Sequence, residues 1–397
     1  MEQLIPRFID RYLPRKEILH RLPVSMPIAL FWPELQKARR ARSITLPLRD
    51  QEGQNFWFVL NASIEAQCDR IAALAQRDVV LSGSAFENQL EDAAIDEAIY
   101  SSMVEGAFTT REAAIGFLKK NKRPANQSEQ MVKNNYDALT YVLEHLGQAI
   151  TEDTLIAIAQ IVTRDASEEQ VCGYRQEAVF VTNQEDIVYT PPKAECVPDM
   201  MRALLDFISH SELHPILKAC IAHFYFVYVH PFGDGNGRTA RALSYMMLLQ
   251  AGYDFFRYVS ISGLVAKERG KYYRSIQNVE ASDSDMTYFI DCYSDMLSRT
   301  VAEMEDHLVH HVLAQQRMMQ LAASGALNDR QLKGAKWLLE SANENVTVEA
   351  WKKKYKVVTE TARRDLLTLC ESGVLKRKIE GRKAVFSVVH PENQILL

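Results

Sequence analysis

Twelve consecutive residues, His230 to Arg241, place a base, a carboxylate, three glycines and two arginines side by side in the order HPFGDGNGRTAR. Glycines at 233, 235 and 237 let backbone N–H groups turn toward an anion with no Cβ in the way. A helix starting after them would add its unpaired N–H groups and the positive end of its dipole, which together make a phosphate cradle. Asp234 is the hard oxygen ligand that magnesium prefers, with waters and phosphate oxygens completing the shell. Arg238 and Arg241, three apart on the first helical turn, can neutralise phosphate charge. His230 titrates in the range needed to take a proton from a hydroxyl near neutral pH. Each of these residues alone has an ordinary structural reading, and it is their joint spacing that points to nucleotide chemistry.

Two helices must hold such a loop. His214 to Val229 is the most apolar stretch of the chain and reads as a buried helix; it contains Lys218 and is shorter than the roughly 20 residues that a membrane span requires. Arg238 to Gln250, ended by Gly252, reads as the helix that leaves the loop. Further helical runs are expected over Gln130 to His145, Glu152 to Val162 and Val197 to Ser209, then over about Val265 to Val279 and Asp285 to Met318. Apolar residues at Leu90, Ala94, Ile95, Ala98, Ile99 and Met103 trace one face of a helix over residues 84–106, and Thr109 with Glu112 resembles a capping box for the next. Ala178 to Thr182 and Ile187 to Thr190, joined by Asn183-Gln184-Glu185-Asp186 and stopped by Pro191-Pro192, predict a β-hairpin. The first 80 residues are broken at Pro23, Pro27 and Pro33, with a β-like patch at Asn55 to Val59 and a helical run from Ser63 to Gln76; no chemistry is assigned there. The fold class is mainly α.

At 397 residues and 47% hydrophobic content the chain has material for two or three cores. The division expected is an N-terminal region at 1–83, a catalytic body at 84–318, a linker at 319–327 read from Ala322-Ala323-Ser324-Gly325, and a basic domain at 328–397. The net charge of −5 conceals an asymmetry: residues 328–390 carry 14 Lys/Arg against 8 Asp/Glu, so only the tail is attractive to a polyanion. Six cysteines with no CxxC pair suit a reducing compartment, no leader is evident among the scattered charges of Met1 to Lys16, and a cytoplasmic protein without membrane contact is the expectation.

The loop matches the Fic family motif HPFx[D/E]GNGRxxR at all nine specified positions of twelve, and Gly173-Tyr174-Arg175, Tyr189-Thr190-Pro191-Pro192 and Tyr272-Tyr273-Arg274-Ser275-Ile276 resemble other parts of that family. The resemblance implies a Fic helical fold with a hairpin flap and transfer of AMP from ATP, with Mg2+, to a protein Ser, Thr or Tyr hydroxyl. It implies His230 as general base, Asp234 as metal ligand, and Gly235, Asn236, Gly237, Arg238 and Arg241 as phosphate ligands. Phe232 would anchor the loop, Tyr272 and Tyr273 are candidates for nucleotide contact, and Val179, Val181 and Tyr189 for target docking along the flap. Gly237 favours AMP transfer, because relatives that phosphorylate carry a lysine there.

Glu105 sits in the last turn of its helix, where the dipole disfavours a carboxylate by several tenths of a kcal/mol, so a compensating partner is expected. Ser101 to Gly106 matches the family's inhibitory motif [S/T]xxxE[G/N]. The resemblance implies that Glu105 pairs with Arg241 and blocks the γ-phosphate, and it leaves open that the same carboxylate helps remove AMP. In the tail, Arg330 to Ser341, Val348 to Tyr355 and Glu360 to Ser372 read as helices, with strands at Val374 to Lys378 and Ala384 to Val388, the pattern of a winged helix. Thr359 to Leu366 resembles the recognition helix of DeoR-like regulators. Arg363, Arg364, Lys376, Arg377, Lys378, Arg382 and Lys383 could meet DNA phosphates. A DNA-binding regulator whose body only senses nucleotide, and a transferase using another nucleotide donor, are the alternatives; self-modification and a homodimer are open.

Overall fold

The computed structural model describes residues 4–9, 11–75, 84–119, 122–167, 170–183, 186–340, 345–380 and 383–389. Gln184, Glu185, Gly381 and Arg382, which belong to the expected hairpin turn and wing, lie outside the described residues, as do Gln76 and Ser341. The chain forms two compact units, residues 1–301 and 302–397.

The first unit opens with three helices, α1 (Ile5–Ile9), α2 (Arg15–Leu19) and α3 (Ile28–Arg40), closed around Phe8, Ile18, Phe31 and Leu35. Strands β1 (Ile44–Arg49) and β2 (Asn55–Phe58) pair antiparallel, and β1 was not foreseen; Leu46 and Leu48 alternate inward along it, and an edge position tolerates Pro47. Then come α4 (Ala62–Ala75), α5 (Ser84–Val104), α6 (Arg111–Leu118), α7 (Gln127–Glu144) and α8 (Glu152–Thr163). The expected capping box at Thr109 and Glu112 is replaced by a simple N-cap one residue later, since N3 is then Ala113, which cannot bond back. Thr110, not Thr109, takes the extended conformation, and its Oγ1 accepts the Ala113 N–H at 3.2 Å.

Strands β3 (Val181–Asn183) and β4 (Asp186–Tyr189) form the expected hairpin, followed by α9 (Val197–His210). Helix α10 (Pro215–Val229) is buried on nearly every side, from Ile216 through Phe224 to Val229, because its sequence offers no polar face. Helix α11 (Asn236–Gln250) packs against it and begins two residues earlier than the sequence suggested, since Gly235 supplies a left-handed N-cap at φ 81°. The single helix read over Val265 to Val279 is two, α12 (Ile261–Lys267) and α13 (Arg269–Glu280), broken at Glu268, whose φ of −112° and ψ of 32° are not helical.

Helix α14 (Thr287–Ser324) runs on through Ala322 and Ala323, so residues 319–324 of the expected linker are helical. Alanine is the best helix former, and the stop falls only at Gly325, at φ 65°. The second unit adds α15 (Asp329–Glu340), β5 (Asn345–Thr347), α16 (Val348–Tyr355), α17 (Thr359–Glu371), β6 (Leu375–Glu380) and β7 (Lys383–Val388), with an antiparallel sheet in the order β5-β7-β6. Its core holds Leu338, Leu339, Trp351, Leu366, Leu369 and Phe386. Asp365 is the polar hub of that core, accepting from Arg330 Nε at 2.7 Å and Trp351 Nε1 at 3.1 Å. Trp351 also lies where a Cβ on Gly334 would stand, 1.9 Å from its Cη2. Gly334→Ala is therefore expected to destabilise this unit by about 1–3 kcal/mol in a denaturant melt.

Candidate active site

Helix α10 ends at His230, which adopts a left-handed φ of 52°. A helix leaves its last carbonyls without intrahelical partners, and here every one from Phe226 to His230 accepts a hydrogen bond. The His230 N–H donates to Phe226 O at 3.0 Å, and its ring Nδ1 lies 3.1 Å from Val227 O. Tyr189 Oη donates to Tyr228 O at 2.7 Å, and Arg175 donates to Val229 O at 3.4 Å and His230 O at 2.8 Å. The ring contact fixes the tautomer: with a carbonyl beside it, Nδ1 carries the proton and Nε2 is left as the acceptor. Burial holds the His230 imidazole below its ordinary range, against the opposing pull of the Val227 carbonyl, Glu105 and Asp234. A base must be neutral to act, so the acid limb of kcat/KM is expected below the ordinary histidine value of about 6.5 in a pH–rate profile.

The loop is braced from within. The Asn236 side chain spans it, its Oδ1 accepting from Phe232 N at 2.9 Å and its Nδ2 donating to Phe232 O at 2.8 Å, while the Phe232 ring is fully buried. Oδ1 and one Nδ2 hydrogen of that amide are thus engaged, and Asn236 also presents its main-chain N–H at the first turn of α11. Gly235 is doubly required, by its positive φ and because a Cβ there would meet Thr163 Cγ2 at 2.8 Å and Val162 Cγ2 at 2.9 Å.

Arg238, expected as a phosphate ligand, is 2% exposed and already engaged: Nη1 donates to Val162 O at 2.6 Å and Nη2 lies 3.1 Å from both oxygens of Asp234. It anchors the loop to α8 and orients the carboxylate. The Asp234 side chain is 48% exposed and also accepts the Gly235 N–H at 2.6 Å. Among the described residues no group of three or more His, Cys, Asp or Glu could hold a metal. A single carboxylate beside a phosphate cradle nevertheless fits Mg2+, which keeps waters and shares its shell with phosphate oxygens.

Glu105 lies directly on this cradle. Its Oε1 is 2.8 Å from Arg241 Nη2, and a Cβ on Gly237 would stand 2.0 Å from the same oxygen. The mismatch with its own helix dipole is offset by the positive end of α11 and by Arg241. Ser101 completes the arrangement, accepting Arg241 Nε on Oγ at 2.8 Å and Arg241 Nη2 on its carbonyl at 2.7 Å. The sharp stop after Glu105 comes from Gly106 at φ 91°, with Ala107 N returning to Ser102 O at 3.0 Å. Arg241 Nη1 is buried beside Gly237 and has no hydrogen-bond partner among the described residues.

A cleft of about 100 Å³ runs from His230, Gly237 and Glu105 toward Val181 and Tyr189 of the flap and Tyr272, Tyr273, Ile276, Gln277 and Glu280 of α13. Tyr272, expected to touch nucleotide, is 2% exposed, and its hydroxyl is 2.8 Å from His223 Nε2, so only its ring borders the cleft. Tyr189 likewise turns its hydroxyl inward to Tyr228. Val179 is half-buried and does not line the cleft.

Residues 149–248 match the Fic/DOC family profile. The protein adenylyltransferase Fic of Nematostella vectensis is 32% identical over 173 residues, 42% of this chain and 37% of that protein. That of Culex quinquefasciatus is 34% identical over 125 residues, 30% of this chain and 22% of that protein. The chain thus aligns with well under half the length of either relative. A Fic family protein from Desulfovibrio desulfuricans superposes with a TM-score of 0.56 at 20% identity, over 84% of this chain and 97% of that one. A Fic domain containing signaling protein from Bacteroides thetaiotaomicron gives 0.50 at 18% identity, over 61% and 94%. At these identities the likeness to the solved structures is one of fold, and residues 149–248 are the part of the chain that is similar to the Fic/DOC family.

Proposed function

We propose that this chain moves AMP from ATP to a Ser, Thr or Tyr hydroxyl of a protein, and that Glu105 holds it in a restrained state. One observation carries the reading: a carboxylate already occupies the N-terminus of α11, between Gly237 and Arg241, where the loop is built to receive phosphate. The remaining cleft of about 100 Å³ is well short of the ~300 Å³ at which small-molecule sites begin, so Glu105 must leave before a nucleotide seats fully.

In the reaction the target hydroxyl attacks the α-phosphorus, the bond from the α-phosphorus to the α,β-bridging oxygen breaks, and pyrophosphate departs. His230 Nε2 takes the hydroxyl proton. The N–H groups of Asn236, Gly237 and Arg238, unpaired at the first turn of α11, stabilise charge on the phosphates without reorganising. Arg241 Nη1, unpartnered in the resting state, is the donor for the γ-phosphate. Asp234, held by Arg238, is the residue that would hold Mg2+, whose contribution is to neutralise phosphate charge. An extended target segment adds beside β3 and β4 through main-chain bonds, near Val179 and Val181. The six free thiols suit the cytoplasm to which we assign the protein.

Intact-mass analysis of the Glu105→Gly protein after incubation with Mg2+ and ATP is the test. A mass increase of one AMP is expected, while an increase of one phosphate, or modification only by another nucleotide, would replace the assignment.

A second activity is favoured by the tail. We read the second unit, with its order α15-β5-α16-α17-β6-β7, as a winged helix, and Arg363 and Arg364 on α17 with Lys376, Arg377 and Lys378 on β6 are exposed. We read this face as one for duplex DNA. The full chain is expected to retard a duplex at low salt and to lose it as salt rises, and Arg363→Ala with Arg364→Ala should weaken binding uniformly across sequences. No retardation at low salt would exclude it.

A further inference from the structure

Arg175 is 7% exposed, yet among the described residues no carboxylate stands among its contacts. All its side-chain partners are main-chain carbonyls. Nε donates to His230 O at 2.8 Å, Nη1 to Glu177 O at 2.9 Å, and Nη2 to Pro192 O and, at 3.4 Å, to Val229 O. Its own N–H donates to Pro231 O at 2.8 Å. A buried cation is costly unless something offsets its lost hydration. Here the negative end of the α10 dipole and the converging carbonyls do so.

The segments joined by this one guanidinium matter more than the number of bonds. Glu177 precedes the β3–β4 hairpin and Pro192 follows it, so Arg175 holds both feet of the flap. Val229, His230 and Pro231 are the start of the catalytic loop, and His230 is kept at a φ of 52° that a non-glycine residue seldom adopts. A left-handed residue persists only where its surroundings over-determine it. Two of the constraints on His230 come from its own N–H and ring; the third, on its carbonyl, comes from Arg175.

We infer that Arg175 is a positioning residue, which fixes the flap that receives the target to the backbone of His230 so that the incoming hydroxyl and Nε2 keep one relative geometry. This rests on the transferase reading above. It distinguishes Arg175 from the residues of the cradle, since its contacts touch neither the N–H groups of α11 nor Arg241.

The test uses the full chain with Glu105→Gly as parent. Arg175→Gln removes the fork, and Arg175→Lys keeps the charge, but one ammonium cannot span carbonyls of the hairpin's two feet and the loop. Misplacing a reacting pair by about 1 Å costs on the order of 10²-fold, so both variants are expected to lose about 30- to 100-fold in rate at saturating Mg-ATP. The KM for ATP should stay within about threefold, because uniform binding by the cradle is retained. A rate within twofold of the parent, or a loss expressed in KM instead of rate, overturns the inference.

A second readout does not require turnover. Amide exchange at His230 and at residues 181–183 should be at least about tenfold faster in either variant, as expected when local opening becomes easier. Unchanged exchange overturns the clamp. A parent that labels nothing, while Arg175→Lys speeds exchange, sinks the transferase reading and leaves the clamp standing. If Arg175→Gln loses cooperative unfolding, Arg175→Lys carries both measurements.

Discussion

Glu105→Gly is expected to raise self-labelling with Mg-ATP by about 10- to 100-fold over the native chain, the span of about 1.4–2.8 kcal/mol that removal of one competing charged contact supplies. The direction follows from what Glu105 touches. Its carboxylate pairs with Arg241 Nη2 at 2.8 Å and rests on Gly237, so on the proposed reading the γ-phosphate of a nucleotide has to displace it. The same substitution strands a fully buried cation. Arg241 then keeps Ser101 Oγ and Ser101 O but loses its only carboxylate contact among the described residues. Since the Glu105 side chain is 28% exposed, the loss is below that of a wholly buried pair, about 1–3 kcal/mol. Two signatures should therefore appear together in thermal melts: a lower Tm without nucleotide, and recovery on adding Mg-ATP that the native chain does not show. A variant that melts lower but gains neither nucleotide affinity nor labelling would reduce Glu105 to a structural ion-pair partner.

The second large effect is expected from His230. Removing a general base costs about 10²–10⁴-fold, and His230→Asn in the Glu105→Gly background should show a loss in that range in rate, with ATP affinity retained. Asparagine is the appropriate replacement because it tolerates the left-handed backbone at 230, whereas alanine would add strain there. Calorimetry separates the outcomes. Undiminished Mg-ATP binding with lost transfer assigns His230 to chemistry, while lost binding would mean that the loop collapsed.

Much of the site was legible because its chemistry is local. Three glycines, an aspartate and two arginines within twelve residues forecast a helix N-terminus that takes an anion, and α11 begins there. Glu105 announced itself by opposing its own helix dipole, and the compensation lies in Arg241 and the start of α11. What could not be read is how the side chains are shared with distant main-chain groups. Arg238 is spoken for by Val162 O, 76 residues away in sequence, and Arg175 by carbonyls at 177, 192, 229 and 230. A carbonyl has no residue signature, so no spacing rule finds such partners. The His223 hydrogen bond that withdraws Tyr272 into the core is invisible for the same reason, since a tyrosine beside a cleft and one beneath it look alike in sequence. The fold was missed at β1, a six-residue strand whose only apolar inward pair is Leu46 and Leu48, and at the end of α14, where Ala322-Ala323 looked like a linker while extending the helix.

The most direct measurement is transfer of label to Glu105→Gly protein from ATP carrying the isotope on the α- or on the γ-phosphate, with Glu105→Gly/His230→Asn run beside it. The account predicts covalent label from the α-position only, dependent on Mg2+ and absent from the double variant. Label retained from the γ-position, or α-label undiminished without His230, would contradict it.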